Sequence, residues 1–172
     1  MQDLRQKVTD SQQTLKKLAC SIPGFGGYLQ KENRRDADKL LRLALARQLD
    51  EQRGRLKELS VQMVGAGNLK AVGDLDRATV KLQTLIDKAK TATYGHASFF
   101  DAIRVQETQL DALYTYDNSM LQGVPLLANA LTAVGGAVKA KEGVDAAMEG
   151  LFASIDQLST AWSQRQDVIL QS

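Results

Sequence analysis

Hydrophobic residues recur at alternating spacings of three and four in each long segment of this chain. Such spacings place apolar side chains along one stripe of a helix, which has to be buried against other helices. The pattern therefore predicts an all-α protein: an antiparallel bundle of four long helices plus an N-terminal helix, with coiled-coil-like packing. The clearest stripes are Leu4, Val8, Ser11, Leu15, Leu18 and Ile22; Val72, Leu75, Thr79, Leu82, Ile86 and Ala89; and Val144, Met148, Leu151, Ile155, Leu158, Trp162 and Ile169.

Proline and glycine mark the predicted helix boundaries. An N-terminal helix is expected to end before Pro23–Gly27, because proline lacks a backbone donor and glycine disfavours helix. Gly65–Asn68 predicts a turn, Gly123–Pro125 a kink or short break, and Gly135-Gly136 with Gly143 a second turn region. The predicted helices cover about residues 2–20, 30–64, 69–93, 98–134 and 144–170.

The 172 residues are long enough for one domain with a sizeable core. We expect residues 1–172 to form a single helical-bundle domain in which the Pro23–Gly27 connector sets off the helix within residues 1–22. A compact bundle and an extended hairpin both fit the pattern.

Composition indicates a soluble, helix-rich chain, with 44% apolar residues, 24% charged residues and two prolines. The net charge is only +2, but residues 1–94 hold 18 Lys/Arg against 11 Asp/Glu, whereas residues 95–172 hold 4 against 9. Within one molecule this asymmetry favours docking of the basic helices on the acidic ones. Between molecules it favours head-to-tail association.

The expected compartment is the cytoplasm. The first ten residues are polar and contain no apolar core of a secretory leader, and Cys20 is the single cysteine. Residues 118–138 carry no charge and are long enough to cross a bilayer. Their apolar side chains nevertheless fall on one stripe, which predicts a buried helix face: Met120, Val124, Leu127, Leu131, Val134 and Val138.

The sequence contains no recognisable catalytic or metal-binding pattern. A di-iron bundle needs Glu-x-x-His motifs on two helices, and this chain has His96 as its single histidine. Neither Cys20 nor the serines have a recognisable histidine partner motif. We therefore expect no enzyme activity, no cofactor and no small-molecule substrate.

Aromatic residues concentrate beside two predicted connectors, which hold five of the nine aromatics. Antiparallel helices would bring both connectors to the same end of the bundle. The cluster is then either a hydrophobic plug that joins the helix reversals or a contact patch for a protein or membrane partner. The candidate contact residues, which include the neighbouring histidine, are Phe25, Tyr28, Tyr94, His96, Phe99 and Phe100.

A basic run also follows the first connector, and acidic residues at positions 32, 36 and 38 interrupt it. These acids supply partners three and four residues away, so a solvated, salt-bridged face is favoured over binding of nucleic acid or anionic lipid. The candidate basic face consists of Lys31, Arg34, Arg35, Lys39 and Arg42.

Two segments resemble a family of uncharacterised bacterial helical proteins. They are Ile22-Pro-Gly-Phe-Gly-Gly-Tyr28 leading into Lys31-Glu-Asn-Arg-Arg-Asp-Ala-Asp38, and Leu82-Gln-Thr-Leu-Ile-Asp87 leading into Thr91-Ala-Thr-Tyr-Gly95 and Phe99-Phe-Asp-Ala102. The terminal Trp162-Ser-Gln-Arg-Gln-Asp167 is also similar. The resemblance implies a bacterial, non-secreted helical protein and implies no activity, cofactor or site.

These observations predict a non-enzymatic structural or protein-interaction module that self-associates. The first alternative is a peripheral membrane-associated helical protein at the inner membrane face, using the aromatic end or the basic face. The second alternative is a metal- or small-molecule-dependent enzyme with its site in the bundle core, which the missing ligand motifs disfavour.

Overall fold

The computed structural model describes residues 34–91 and 107–170, with side chains described for residues 39–91 and 115–167. These ranges form four helices and contain no strand, which confirms the all-α prediction. The predicted N-terminal helix lies outside the described residues. The helices are α1 (Arg34–Gly65), α2 (Leu69–Thr91), α3 (Glu107–Ala140) and α4 (Val144–Leu170).

The predicted apolar stripes form the core. Every stripe position with a described side chain is buried or partly buried, because each helix turns that stripe toward its neighbours. Each large side chain removed from water stabilises the fold by about 1.5–3 kcal/mol. The largest fully buried side chains are Leu45, Leu49, Leu56 and Met63 in α1; Leu75, Leu82 and Ile86 in α2; Leu127 and Leu131 in α3; and Leu151 and Trp162 in α4.

The helices pack as two hairpins that lie against each other. The most extensive contacts join α1 to α2 and α3 to α4, and smaller contacts join α1 to α3 and α2 to α4. Around the core the order is therefore α1, α2, α4, α3. The basic helices α1 and α2 form one hairpin, and the acidic helices α3 and α4 form the other.

The two hairpins are in register, so that each residue of the first lies at the height of a residue about 75 positions further along the chain in the second. Lys70 and Lys81 of α2 pair with Asp145 and Asp156 of α4, each across a sequence separation of 75 residues. Between α1 and α3, Arg55 donates to groups that are 73 and 77 residues further along the chain. Both short turns therefore lie at one end of the bundle, whereas α1 and α3 begin at the other end.

The turn between α1 and α2 follows from its glycine and asparagine. Gly67 adopts a φ of 73°, and the N–H groups of Gly67 and Asn68 donate to Val64 O and Met63 O at 3.0 and 3.1 Å. This is the Schellman pattern that ends many helices. The Asn68 Oδ1 then accepts from Ala71 N at 3.1 Å and caps α2. The turn predicted at Gly65–Asn68 is confirmed.

Helix α3 continues through Gly135-Gly136 to Ala140, which corrects the predicted end near residue 134 and the turn at these glycines. It also continues through Gly123–Pro125, so the chain does not break there. A Cβ at Gly123 would lie 2.6 Å from Leu158 Cδ2, and one at Gly135 would lie 3.3 Å from Leu59 Cδ2. These glycines therefore allow neighbouring helices to approach closely and do not end the helix. Pro125 is exposed on the outer side of α3.

The turn between α3 and α4 places a lysine in the left-handed region. Lys141 has a φ of 58°, and its N–H donates to Val138 O while the N–H of Glu142 donates to Ala137 O, both at 3.2 Å. This is again the Schellman pattern, with lysine at the position that usually holds glycine.

We expect Lys141→Gly to raise the free energy of unfolding by about 1 kcal/mol, because glycine adopts this conformation without the Cβ penalty. The matched variant Lys139→Gly, in the last turn of α3, should lower it by about 0.5–1 kcal/mol. Urea denaturation of both variants tests the prediction, and equal losses of stability would contradict it.

Candidate interaction surface

Most of the residues that the sequence proposed as contacts fall outside the described residues. These are Phe25, Tyr28, Tyr94, His96, Phe99, Phe100 and Lys31. Arg34 and Arg35 lie in α1, but their side chains are not among those described. The predicted aromatic cluster therefore stays a prediction.

The described part of the basic run separates into two environments. Lys39 is exposed, whereas Arg42 is buried and its Nη1 donates to Ala89 O at 3.4 Å. Ala89 lies in the last turn of α2, where carbonyl groups lack helical partners and a cation is favourable. Arg42 therefore does not belong to the solvated face that the sequence predicted, because α1 turns it toward the end of α2.

Opposite charges meet where the two hairpins join. Lys70 Nζ lies 2.9 Å from Asp145 Oδ1, and Lys81 Nζ lies 2.7 Å from Asp156 Oδ1. The pKa of Lys70 is raised, first by its hydrogen bond to Asp145 and then by the charge of that carboxylate. Lys81 also lies 5.6 Å from the centroid of the Phe152 ring. These pairs join the basic half to the acidic half within one molecule, although exposed pairs stabilise a fold only slightly.

A second ion pair is buried between α3 and α4. Arg165 Nε donates to Asp117 Oδ1 at 2.5 Å, and both side chains are 4% exposed. The Arg165 guanidinium carbon lies 5.6 Å from the ring centroid of Trp162, which is fully buried. The sequence did contain a signal for this pair: Asp117 and Arg165 each lie three residues from a stripe position on their helix, Met120 and Trp162. The pair joins two core stripes inside the bundle.

The outer side of the α3–α4 hairpin carries two further stripes, which the hydrophobic pattern did not reveal. Both follow spacings of three and four, and all their members are exposed and uncharged. We call them together the uncharged face. It consists of Ser119, Gln122, Leu126, Asn129, Ala133, Gly136 and Ala140 on α3, and Ala146, Gly150, Ala153, Gln157, Thr160 and Gln164 on α4.

Two acidic residues of α4, Asp145 and Asp156, pair with α2 and so lie on the flank that faces that helix. The exposed Glu149 and Asp167 lie three or four residues from members of the α4 stripe and border the uncharged face. Leu126 is 56% exposed near the middle of the α3 stripe. Exposed apolar groups that stand alone are ordinary, but an uncharged surface that extends along two helices shares with interface cores their depletion of charge.

The same helix has the length and composition of a membrane span. Within the described ranges, Thr115–Ala140 is the one helical segment that is long and apolar enough to cross a bilayer. Of its most apolar 18 residues, 33% are buried. Most of the buried side chains belong to the core stripe that was predicted for residues 118–138, and many of the exposed ones belong to the α3 part of the uncharged face.

Acidic, histidine and cysteine side chains do not gather into a metal-binding group of three within the described residues. Of the buried charged residues described, Asp117 and Arg165 bond to each other and Arg42 donates to Ala89 O. Neither observation adds a catalytic arrangement to those weighed from the sequence.

No protein family, curated protein or solved structure matches this chain. The resemblance to uncharacterised bacterial helical proteins therefore stays a prediction that rests on the motifs quoted above.

Proposed function

We propose that this chain is a non-enzymatic structural or protein-interaction module that self-associates, built from two antiparallel hairpins with coiled-coil-like packing. The observation that carries the proposal is the uncharged face. An exposed surface with heptad spacing is suited to packing against another helix, because its side chains project along one line.

The contrast with the rest of the bundle supports an interaction role. Exposed positions on α1 and α2 carry many charges, such as Lys57, Glu58, Asp76 and Lys88, which favour contact with water. The uncharged face has no such groups, and interface cores are depleted of charge in the same way. We accordingly propose that contacts form through the α3–α4 hairpin. The α1–α2 hairpin also exposes large apolar side chains, five of the six described, but they stand among these charges.

Sedimentation velocity of the full chain over a range of concentrations tests the proposal. We expect the average sedimentation coefficient to rise with concentration as oligomers form. Weak specific association has a dissociation constant of about 1 μM. A single monomeric species at every concentration up to about 100 μM would therefore contradict self-association.

Peripheral membrane association is the second candidate, and the apolar composition of Thr115–Ala140 favours it. An amphipathic surface can lie in the headgroup region without spanning the bilayer. Co-sedimentation with vesicles of anionic and neutral phospholipid separates the candidates: binding to vesicles by a monomeric chain would favour the membrane role.

We further propose a cytoplasmic location in a bacterium, which rests on the single Cys20 and the resembling motifs. In the membrane alternative the location is the inner face of the membrane. Fractionation of the native host distinguishes the two.

A further inference from the structure

We propose that a second copy of this chain occupies the uncharged face, so that two α3–α4 hairpins pack across a two-fold axis. This inference rests on the proposed function, because it assumes that the chain self-associates. It adds the surface that makes the contact, the symmetry of the contact and its response to salt.

The chemistry of the face fits a copy of itself. A two-fold interface sets one patch against the same patch, so a lysine or aspartate near the axis would meet its own charge. The polar members of the face are instead amides and hydroxyls, such as Gln122, Asn129 and Thr160. Each of these groups both donates and accepts hydrogen bonds, so it can pair with its own symmetry mate. The absence of charge on these exposed stripes is thus the property that self-pairing requires.

The shape of the face also fits helix packing. Leu126 is the largest apolar side chain on it, and Ala133, Gly150 and Ala153 leave shallow positions nearby along the two stripes. Alternation of one large and several small side chains allows a projecting residue to enter a gap on the facing helix. Close approach of the backbones then adds dispersion contacts along the seam.

The area of the face is sufficient for a weak dimer. The α3 stripe runs from Ser119 to Ala140, which is about 30 Å at 1.5 Å per residue. Two helices about 10 Å apart make the face roughly 20 Å wide. The product is about 600 Å² per copy, or about 1,200 Å² in total, which is the lower end of specific protein interfaces.

The decisive experiment compares Leu126→Glu with Val80→Glu in the full chain by sedimentation equilibrium. Both residues are exposed apolar side chains in helices, at 56% and 66%, but Val80 lies on α2, away from the uncharged face. We expect Leu126→Glu to weaken dimerisation at least tenfold, because two like charges are brought into an uncharged interface. Val80→Glu should leave the dimerisation constant within about twofold of the wild type.

A salt series separates this contact from head-to-tail association. The dimerisation constant of the wild type should change less than about threefold between low and high salt, because the proposed contact contains no ion pairs. A steep loss of dimer with salt would indicate that basic helices meet acidic helices, and would overturn the inference while self-association stands.

Other outcomes are equally distinct. If Leu126→Glu dimerises as the wild type does, another surface makes the dimer and the inference fails, although the proposed function survives. If the wild type is monomeric throughout, both fail. If the chain is monomeric and Leu126→Glu destabilises it, the result would indicate that residues 1–33 cover the face. If the chain is monomeric and Leu126→Glu abolishes its binding to vesicles, the result would indicate that the face contacts a lipid surface.

Discussion

Replacing Asp117 by alanine is expected to lower the free energy of unfolding by about 3–5 kcal/mol. The substitution removes the carboxylate that lies against the buried Arg165 guanidinium, and both side chains are 4% exposed. A buried charge that loses an oppositely charged neighbour keeps more of the cost of its removal from water. Trp162 is the single tryptophan of the chain, lies next to Arg165 and provides the fluorescence signal for urea denaturation.

Two controls show whether burial causes this effect. Asp156→Ala removes a carboxylate from an exposed ion pair, so it should cost less than about 1 kcal/mol. The double variant Asp117→Leu with Arg165→Met removes both charges and should recover much of the stability lost by Asp117→Ala. A loss of equal size in Asp117→Ala and Asp156→Ala would contradict the burial argument.

Trp162→Ala is the second substitution with a large expected effect, a loss of about 3–5 kcal/mol. Trp162 is fully buried on the core stripe of α4, so alanine leaves a cavity that the neighbouring helices fill only in part. Since domains of this kind unfold at a cost of about 5–15 kcal/mol, the variant loses a large share of its stability. Thermal melts followed by circular dichroism measure this without the tryptophan signal.

The control for this prediction is Val80→Ala, which shortens a side chain that is 66% exposed. Its stability should stay within about 0.5 kcal/mol of the wild type. Similar melting temperatures for Trp162→Ala and the wild type would show that the tryptophan lies outside the tightly packed core.

The sequence predicted α2 and α4 well because their apolar stripes continue without interruption. The predicted last helix, Val144–Leu170, agrees with the structure at both ends. Gly67 and Gly143 stand where the backbone adopts positive φ, and glycine is the residue that does so without strain. Local sequence and tertiary packing agree in these places.

The prediction for α3 was less accurate because local propensity disagrees with packing there. Pro125 and Gly135 each disfavour helix, yet α3 is continuous through both. Contacts with α1 and α4 on either side stabilise the helix, and Gly135 allows Leu59 to approach. The local sequence of α3 does not reveal this stabilisation, because it comes from contacts with the neighbouring helices.

The candidate surface was harder to predict than the core. The uncharged face is made largely of alanine, glycine and amides, so a search for large apolar residues passes over it. Arg42 shows the opposite difficulty, because a charged residue beside Leu41 belongs to the buried side of α1. In both cases the residue type predicted one environment, whereas the position of the residue on its helix determined the environment that the structure shows.

The shared register of the hairpins has a consequence for the chain entropy that is lost when the two hairpins dock. Polar contacts within a hairpin join residues 30–48 apart, and those between hairpins join residues 73–77 apart. Doubling the length of a closed loop costs only about 0.6 kcal/mol of chain entropy. Closing the chain when the hairpins dock therefore costs little more entropy than closing each hairpin. A flexible insertion between Thr91 and Glu107 would weaken docking only slightly. Contacts between α1 and α3 and between α2 and α4 hold the two hairpins together.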